Sequence, residues 1–242
     1  MKYYSEFDYI VNMPFMVFMS LLYIYTSVHF HNKTRSYCLE NTNSLDSLEN
    51  RRKYVKIYNI VQIGLCSYMT YGFYWYFSIY DIFGIGLEED KTIEFLILVH
   101  YLSKYLDWCD TGFMIINKKS SKQMSFLHLY HHSTINLVWG YLLYNNYGNS
   151  TVYFGAFLNS FIHILMYTHY LITSFKIVNP FKCILTKMQI LQFYMCLLHS
   201  FMIMCYYDTP YTGVAAIQFI YQLSMIYLFT FRLHWIPLCL NI

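Results

Sequence analysis

Long apolar runs divide this chain and leave little charge to face water. Ile57–Tyr80 and Pro210–Phe231 contain no Lys, Arg, Asp or Glu. Residues 9–30, 93–116, 124–145, 151–174 and 184–207 form five further stretches of the length a bilayer-crossing helix needs, about 20 mostly apolar residues. Charged residues are 12% of the 242, half the share of about 25% in a soluble domain. So little charge cannot cover a water-facing surface of this size. That excludes a soluble enzyme, a disordered chain and a nucleic-acid-binding protein. Mean hydropathy is only +0.32, because the 28 tyrosines score as polar although their rings suit membrane interfaces and helix interiors. The expected fold is all-α: one polytopic membrane domain over residues 1–242 with seven transmembrane helices.

The loop charges give this expectation a direction. Residues 31–56, expected to be a polar loop, carry Lys33, Arg35, Arg51, Arg52, Lys53 and Lys56. Lys118, Lys119 and Lys122 follow the third run, Lys176, Lys182 and Lys187 follow the fifth, and Arg232 follows the last. The alternate loops hold only Lys2 and Lys91 as cations, beside Glu6, Asp8, Asp81, Glu88, Glu89, Asp90 and Asp208. The excess of Lys and Arg on one side places the C-terminus in the cytosol and the N-terminus outside. The first run begins near Tyr9 and is too long for a signal-peptide core. The seven cysteines show neither CxxC nor zinc spacing and read as buried free thiols.

Ionisable residues inside spanning helices are costly and mark function. The third run holds Lys104, Asp107, Asp110 and Thr111, which as a structural unit could be an ion pair. The fourth opens with His128, His131 and His132, whose i, i+3, i+4 spacing places three imidazoles on one face. One turn there could supply two metal ligands, or a nucleophile and its base. The fifth run carries Asn159, His163 and Tyr167 at successive turns, and the sixth carries Thr186, Gln189, Gln192 and His199. Either set alone reads as interhelical hydrogen bonding. Depth argues for more. At about 1.5 Å per residue, Lys104 and His163 lie roughly 18 Å from their cytosolic helix ends, Gln192 roughly 15 Å and His131 roughly 13 Å. The four groups should therefore meet in one buried polar chamber that opens toward basic loops able to attract an anion.

Taken in order, Lys104…Asp107…Asp110-Thr111, His128…His131-His132, Asn159…His163…Met166-Tyr167…Tyr170 and Thr186…Gln189…Gln192 resemble the four motifs of the ELO family of very-long-chain fatty acid elongases. The resemblance spans roughly residues 54–235. Asp107 stands where the family usually has Glu, His169 replaces a Tyr, and the tail ends in Asn241-Ile242 without the dilysine signal many members carry.

The resemblance implies a fold in which six of seven helices form a barrel around an acyl-CoA tunnel. It implies a 3-ketoacyl-CoA synthase (very-long-chain 3-oxoacyl-CoA synthase) that condenses a long-chain acyl-CoA with malonyl-CoA and releases CO2 and CoA. It requires no cofactor and no metal. His131 would take the acyl group as an acyl-imidazole, His163 would act from across the chamber, and His128 and His132 would orient His131. Lys104, Asp107, Asp110, Asn159, Tyr167, Gln189 and Gln192 would hold substrate and imidazoles, and Lys118, Lys119 and Lys122 would take CoA phosphates. The location implied is the endoplasmic reticulum membrane, with a lumenal N-terminus. The implied partners are membrane lipids, the ketoacyl-CoA reductase, dehydratase and enoyl-CoA reductase of the same cycle, and a second copy of the chain as a homo-oligomer; nucleic acid is not among them.

Two rival classes share parts of this pattern. A di-iron desaturase or hydroxylase also uses HxxHH, but in several boxes, whereas the remaining histidines here are scattered at 29, 31, 100, 163, 169, 199 and 234. A seven-helix receptor or transporter fits the span count but has no use for a histidine box near a cytosolic mouth.

Overall fold

The computed structural model of the protein describes residues 1–37, 45–77, 81–85, 88–206 and 210–235. Among these there are nine α-helices, three short 3-10 turns and no strand. The helices are α1 (Met13–Tyr37), α2 (Leu45–Tyr74), α3 (Lys91–Leu106), α4 (Trp108–Ile116), α5 (Ser120–Gln123), α6 (Phe126–Tyr144), α7 (Tyr153–Ser174), α8 (Lys182–Tyr206) and α9 (Thr212–Trp235). The helices follow the seven apolar runs, with two differences.

Residues 31–56 are not mainly loop. α1 continues to Tyr37 and α2 begins at Leu45, so most basic positions there ride on helical extensions. The third run is two helices, because the ladder tightens at Asp107. The Asp110 N–H reaches the Asp107 carbonyl three residues back, at 3.1 Å. The break lies where the Asp107 side chain turns into the protein interior, with 3% of the residue exposed.

Local signals set the helix starts. Asp90 caps α3 by accepting from the Thr92 N–H at 2.5 Å. Ser125 caps α6 by accepting from the His128 N–H at 3.2 Å, which puts His128 in the first turn and His131 and His132 one turn on. At the end of α4, Lys118 adopts φ 56°, and the Lys119 N–H returns to the Met114 carbonyl at 2.8 Å, a left-handed cap that turns the chain out of the bundle.

Packing is sequential around a circuit. α2 lies on α7, α7 on α8, α8 on α9, α9 on α6, α6 on α3 and α3 on α2, while α1 packs from outside on α6 and α4. The interior holds an apolar core, but the surface and the buried polar set depart from those of a soluble bundle. Phe18, Leu21, Tyr71, Leu191, Leu198, Ile220 and Tyr227 are exposed, while Asn59, Gln62, His100, Lys104, Asp107, His163 and Gln192 are buried. Such a surface is stable in hydrocarbon rather than water. Among the described residues, three helices are long and apolar enough to cross a membrane by length and composition: Met13–Thr34, Lys182–Cys205 and Thr212–Phe231. α2 contains a charge-free run but scores lower because Tyr, Asn59 and Gln62 count as polar.

Cys66, Cys109, Cys196 and Cys205 are free thiols, with Cys66 and Cys196 buried. Cys183 is disulfide-bonded, against the expectation of free thiols throughout.

Gly140 marks the closest approach of α6 to its neighbours. A methyl group there would collide with Met16 Sδ of α1 and stand 3.0 Å from the Tyr101 ring of α3. Met16 and Tyr101 are both fully buried, so neither has free space to enter. Gly140→Ala is expected to cost about 1–3 kcal/mol by overpacking. A lowered melting temperature in detergent would show it, and an unchanged one would contradict the close approach.

Candidate active site

The third and fifth runs meet turn by turn. Asn159, His163 and Tyr167 lie one turn apart on α7 and face Lys104, Asp107 and Asp110 on the α3–α4 segment. Lys104 Nζ donates to Asn159 Oδ1 at 3.0 Å and to Asp107 Oδ2 at 3.1 Å. His163 Nδ1 lies 3.9 Å from Asp107 Oδ2. The Tyr167 hydroxyl lies 3.0 Å from Asp107 Oδ1 and 2.8 Å from Asp110 Oδ2. The convergence inferred from depth is therefore direct contact, and the Lys104–Asp107 ion pair exists, with both side chains almost wholly buried.

α2 completes the network with residues that the sequence reading missed. Gln62 Nε2 donates to Asp107 Oδ1 at 2.8 Å and lies 2.9 Å from the Tyr58 and 3.1 Å from the Tyr167 hydroxyls. The available signal was Tyr58, Asn59 and Gln62 at helical spacing within a run that has no charge.

The histidine box is held differently from expectation. His131 Nδ1 pairs with the Tyr221 hydroxyl of α9 at 3.1 Å, not with a carboxylate or a neighbouring imidazole. His128 Nε2 pairs with Thr111 Oγ1 at 2.8 Å, which in turn meets the buried Tyr23 hydroxyl of α1 at 2.8 Å. The His128 and His132 rings lie 4.3 Å apart and the His131 and His132 rings 5.5 Å apart. Asp110 serves Tyr167 rather than any imidazole. The reason is geometric: the bonds of Asp107 and Asp110 run to α3, α2 and α7, whereas His131 bonds α9 and His128 bonds α4 beside α1.

Two cavities meet at this point. The first is bordered by Asp110, His128, His131, His132, His163, Gln189 and Gln192 and extends to Met114, His169, Lys182, Thr186 and Phe229. The second is lined mainly by apolar groups, among them Ile135, Trp139, Leu142, Val152, Cys196, Val214 and Ile217. Both include His131, Asn159, Gln192 and Phe193. The polar cavity runs toward the ends of α4 and α9 and the start of α8; the apolar one runs toward the opposite helix ends. One neck with an imidazole therefore separates a polar compartment from an apolar compartment.

Lys118 and Lys119 do not border either cavity, and the side chain of Lys122 lies outside the described residues. The cation at the mouth is Lys182, which the charge pattern had placed on this side without a role. Gln189 Nε2 donates to Met166 Sδ at 3.6 Å. His199, grouped with the sixth run, lies away from both cavities, bonds the Ile82 carbonyl and stacks against Phe83. His100 pairs with Ser160 at 3.3 Å. Among the described residues no three His, Cys, Asp or Glu side chains gather as a metal-binding set.

Residues 9–233 match the family described as ELO, GNS1/SUR4. Fatty acid elongase 5 of Leishmania major is 41% identical over 173 residues, covering 72% of this chain and 69% of that protein. Fatty acid elongase 4 of Trypanosoma brucei brucei is 42% identical over 181 residues, covering 74% and 71%. Very long chain fatty acid elongase 5 of Homo sapiens is 36% identical over 147 residues, covering 59% and 48%.

Proposed function

Because the chain belongs to the ELO (GNS1/SUR4) family, we propose that it is the condensing enzyme of fatty acid elongation, joining a long-chain acyl-CoA to malonyl-CoA to give a 3-ketoacyl-CoA, CO2 and CoA. The observation that carries this reading is the placement of His131 at the neck shared by the polar and apolar cavities. A thioester whose acyl tail fills the apolar cavity and whose CoA occupies the polar one brings its carbonyl carbon to that imidazole. The six-helix circuit supports a barrel around this tunnel, with α1 outside and seven spans in all.

In this reaction His131 is the acyl acceptor. With Nδ1–H donated to Tyr221, the lone pair on Nε2 is free to attack the thioester carbon. CoA leaves, malonyl-CoA enters, and loss of CO2 leaves an electron pair on the α-carbon, which attacks the acyl carbon. Lys104 occupies Asn159 Oδ1, so the Asn159 amide N–H groups remain to stabilise a carbonyl oxygen in the transition state, together with Gln192 on the same neck. His163 faces the same chamber and acts on the malonyl-derived group. Lys182 at the mouth binds the anionic end of the CoA carrier. The basic loops favour a cytosolic mouth, and the proposed setting is the endoplasmic reticulum membrane, beside the reductases and dehydratase that complete the cycle.

Microsomes or purified protein supplied with radiolabelled malonyl-CoA and a panel of acyl-CoAs test the reading: labelled 3-ketoacyl-CoA is expected, and its absence across the panel would reject it. The same panel tests the tail compartment. Val214 is buried and lines the apolar cavity, so Val214→Phe removes volume and is expected to shift product toward shorter chains while short acyl-CoAs still react. Product lengths unchanged from wild type would place the tail elsewhere.

A further inference from the structure

Two carboxylates, the buried Asp107 and the partly buried Asp110, share one tyrosine hydroxyl and have one buried ammonium between them. Tyr167 has a single hydroxyl proton, yet its oxygen lies 3.0 Å from Asp107 and 2.8 Å from Asp110. Asp107 is otherwise fully served, by Lys104 on Oδ2 and by Gln62 on Oδ1. Lys104 balances one negative charge, and its remaining partner is the neutral Asn159. A second carboxylate beside the first, without a counter-charge of its own, is opposed by that like charge, and proteins relieve the repulsion by taking up a proton. The second carboxylate is Asp110, which borders the polar cavity and so can exchange with the mouth.

The groups facing this pair are Tyr23 of α1, Tyr58, Gln62 and Cys66 of α2, His100 and Lys104 of α3, Cys109 of α4, the imidazoles of His128, His131 and His132 of α6, and His163 and Tyr167 of α7. Lys104 is the permanent cation among them; the imidazoles share the chamber with Lys104, whose charge opposes a second positive one beside it.

The condensation proposed above has a matching requirement. In acylation the C–S bond breaks, a C–N bond forms, and the imidazole proton goes to the leaving thiolate. In condensation the malonyl carboxylate leaves as CO2, its electron pair forms the new C–C bond, and the C–N bond breaks with its pair left on the imidazole nitrogen. That nitrogen must take up a proton. Summed over both halves, each turnover consumes one proton from solvent.

We propose that Asp107 and Asp110 share one proton, held on Asp110 at rest, and that this is the proton the condensation consumes. This rests on the condensing-enzyme reading. Asp110 gives its proton into the chamber as His131 is released, Tyr167 keeps the two carboxylates bridged while the charge changes, and Asp110 is reprotonated through the polar cavity.

The full-length protein, purified into lipid nanodiscs, permits a test independent of turnover. Infrared spectra in H2O and D2O are expected to contain a carboxylic-acid C=O band that shifts with deuteration and is missing from Asp110→Asn. Asparagine keeps the acceptor for Tyr167 but cannot give up a proton. Ketoacyl-CoA formation by Asp110→Asn is expected to fall by about 10²-fold, the scale of a lost general acid, while CoA release from acyl-CoA alone stays within about twofold. Asp110→Glu, which restores the acid, should recover much of the loss. Absence of the band in wild type, a band that survives Asp110→Asn, or equal loss in both half-reactions would overturn the proposal. A wild-type protein with the band but no ketoacyl product would reject the condensing reading, while the shared proton would stand.

Discussion

His131→Ala should abolish 3-ketoacyl-CoA formation, with a loss of about 10³-fold or more, the scale seen when a nucleophile or its base is deleted. His131 is the one member of the box that borders both cavities, and alanine leaves no nitrogen to accept the acyl group. His128 and His132 do not reach the apolar cavity, so neither can replace it. The side chain is held by one hydroxyl bond to Tyr221, worth about 1 kcal/mol net, so the variant should melt close to wild type. Single-turnover incubation with labelled acyl-CoA separates the cases. Wild type should release CoA and retain label, and His131→Ala should do neither. A variant that keeps even a tenth of wild-type condensation would remove His131 from the acceptor role.

The second large effect is on folding. Lys104→Met is expected to destabilise the protein by about 3–5 kcal/mol, because it leaves the Asp107 carboxylate buried without its cation. Gln62 and Tyr167 still reach Asp107 Oδ1, but two such bonds recover about 1–3 kcal/mol together and do not make up the deficit. The double variant Lys104→Met/Asp107→Asn removes both charges and should regain most of the lost stability. Thermal unfolding followed by size-exclusion in detergent reads both. Equal melting of the single and double variants would show that the ion pair does not govern the stability of this region.

The sequence made some of these relations legible and hid others. Lys104, Asp107, Asn159, His163 and Tyr167 could be matched across two helices because helical rise converts residue number into depth, and residues of equal depth on adjacent helices meet. The partners of the box could not be found this way. Tyr221 and Tyr23 are two of 28 tyrosines, and nothing local separates one that bonds an imidazole from one that faces lipid, as Tyr227 does. Gln62 was missed for a related reason: it lies with Tyr58 and Asn59 in a charge-free run, and its role exists only because α2 packs on α3 and α7. Lys118 and Lys119 were expected at the phosphates on charge alone. The left-handed cap at Lys118 turns the chain so that neither borders the cavity, and Lys182 at the start of α8 stands at the mouth instead.

What the sequence determined by itself is the solvent and the helices. Low charge and long apolar runs leave only hydrocarbon as surroundings. It also determined the chemistry available, since buried Lys, Asp and His are too costly to keep without use. The tertiary structure decided how that chemistry is wired: Asp107 and Asp110 bridged by Tyr167, His131 on Tyr221, and His128 on Thr111. Those bonds depend on which face each helix turns to its neighbours. Rotation about a helix axis is set by the packing of all the side chains along it, and no single motif encodes that.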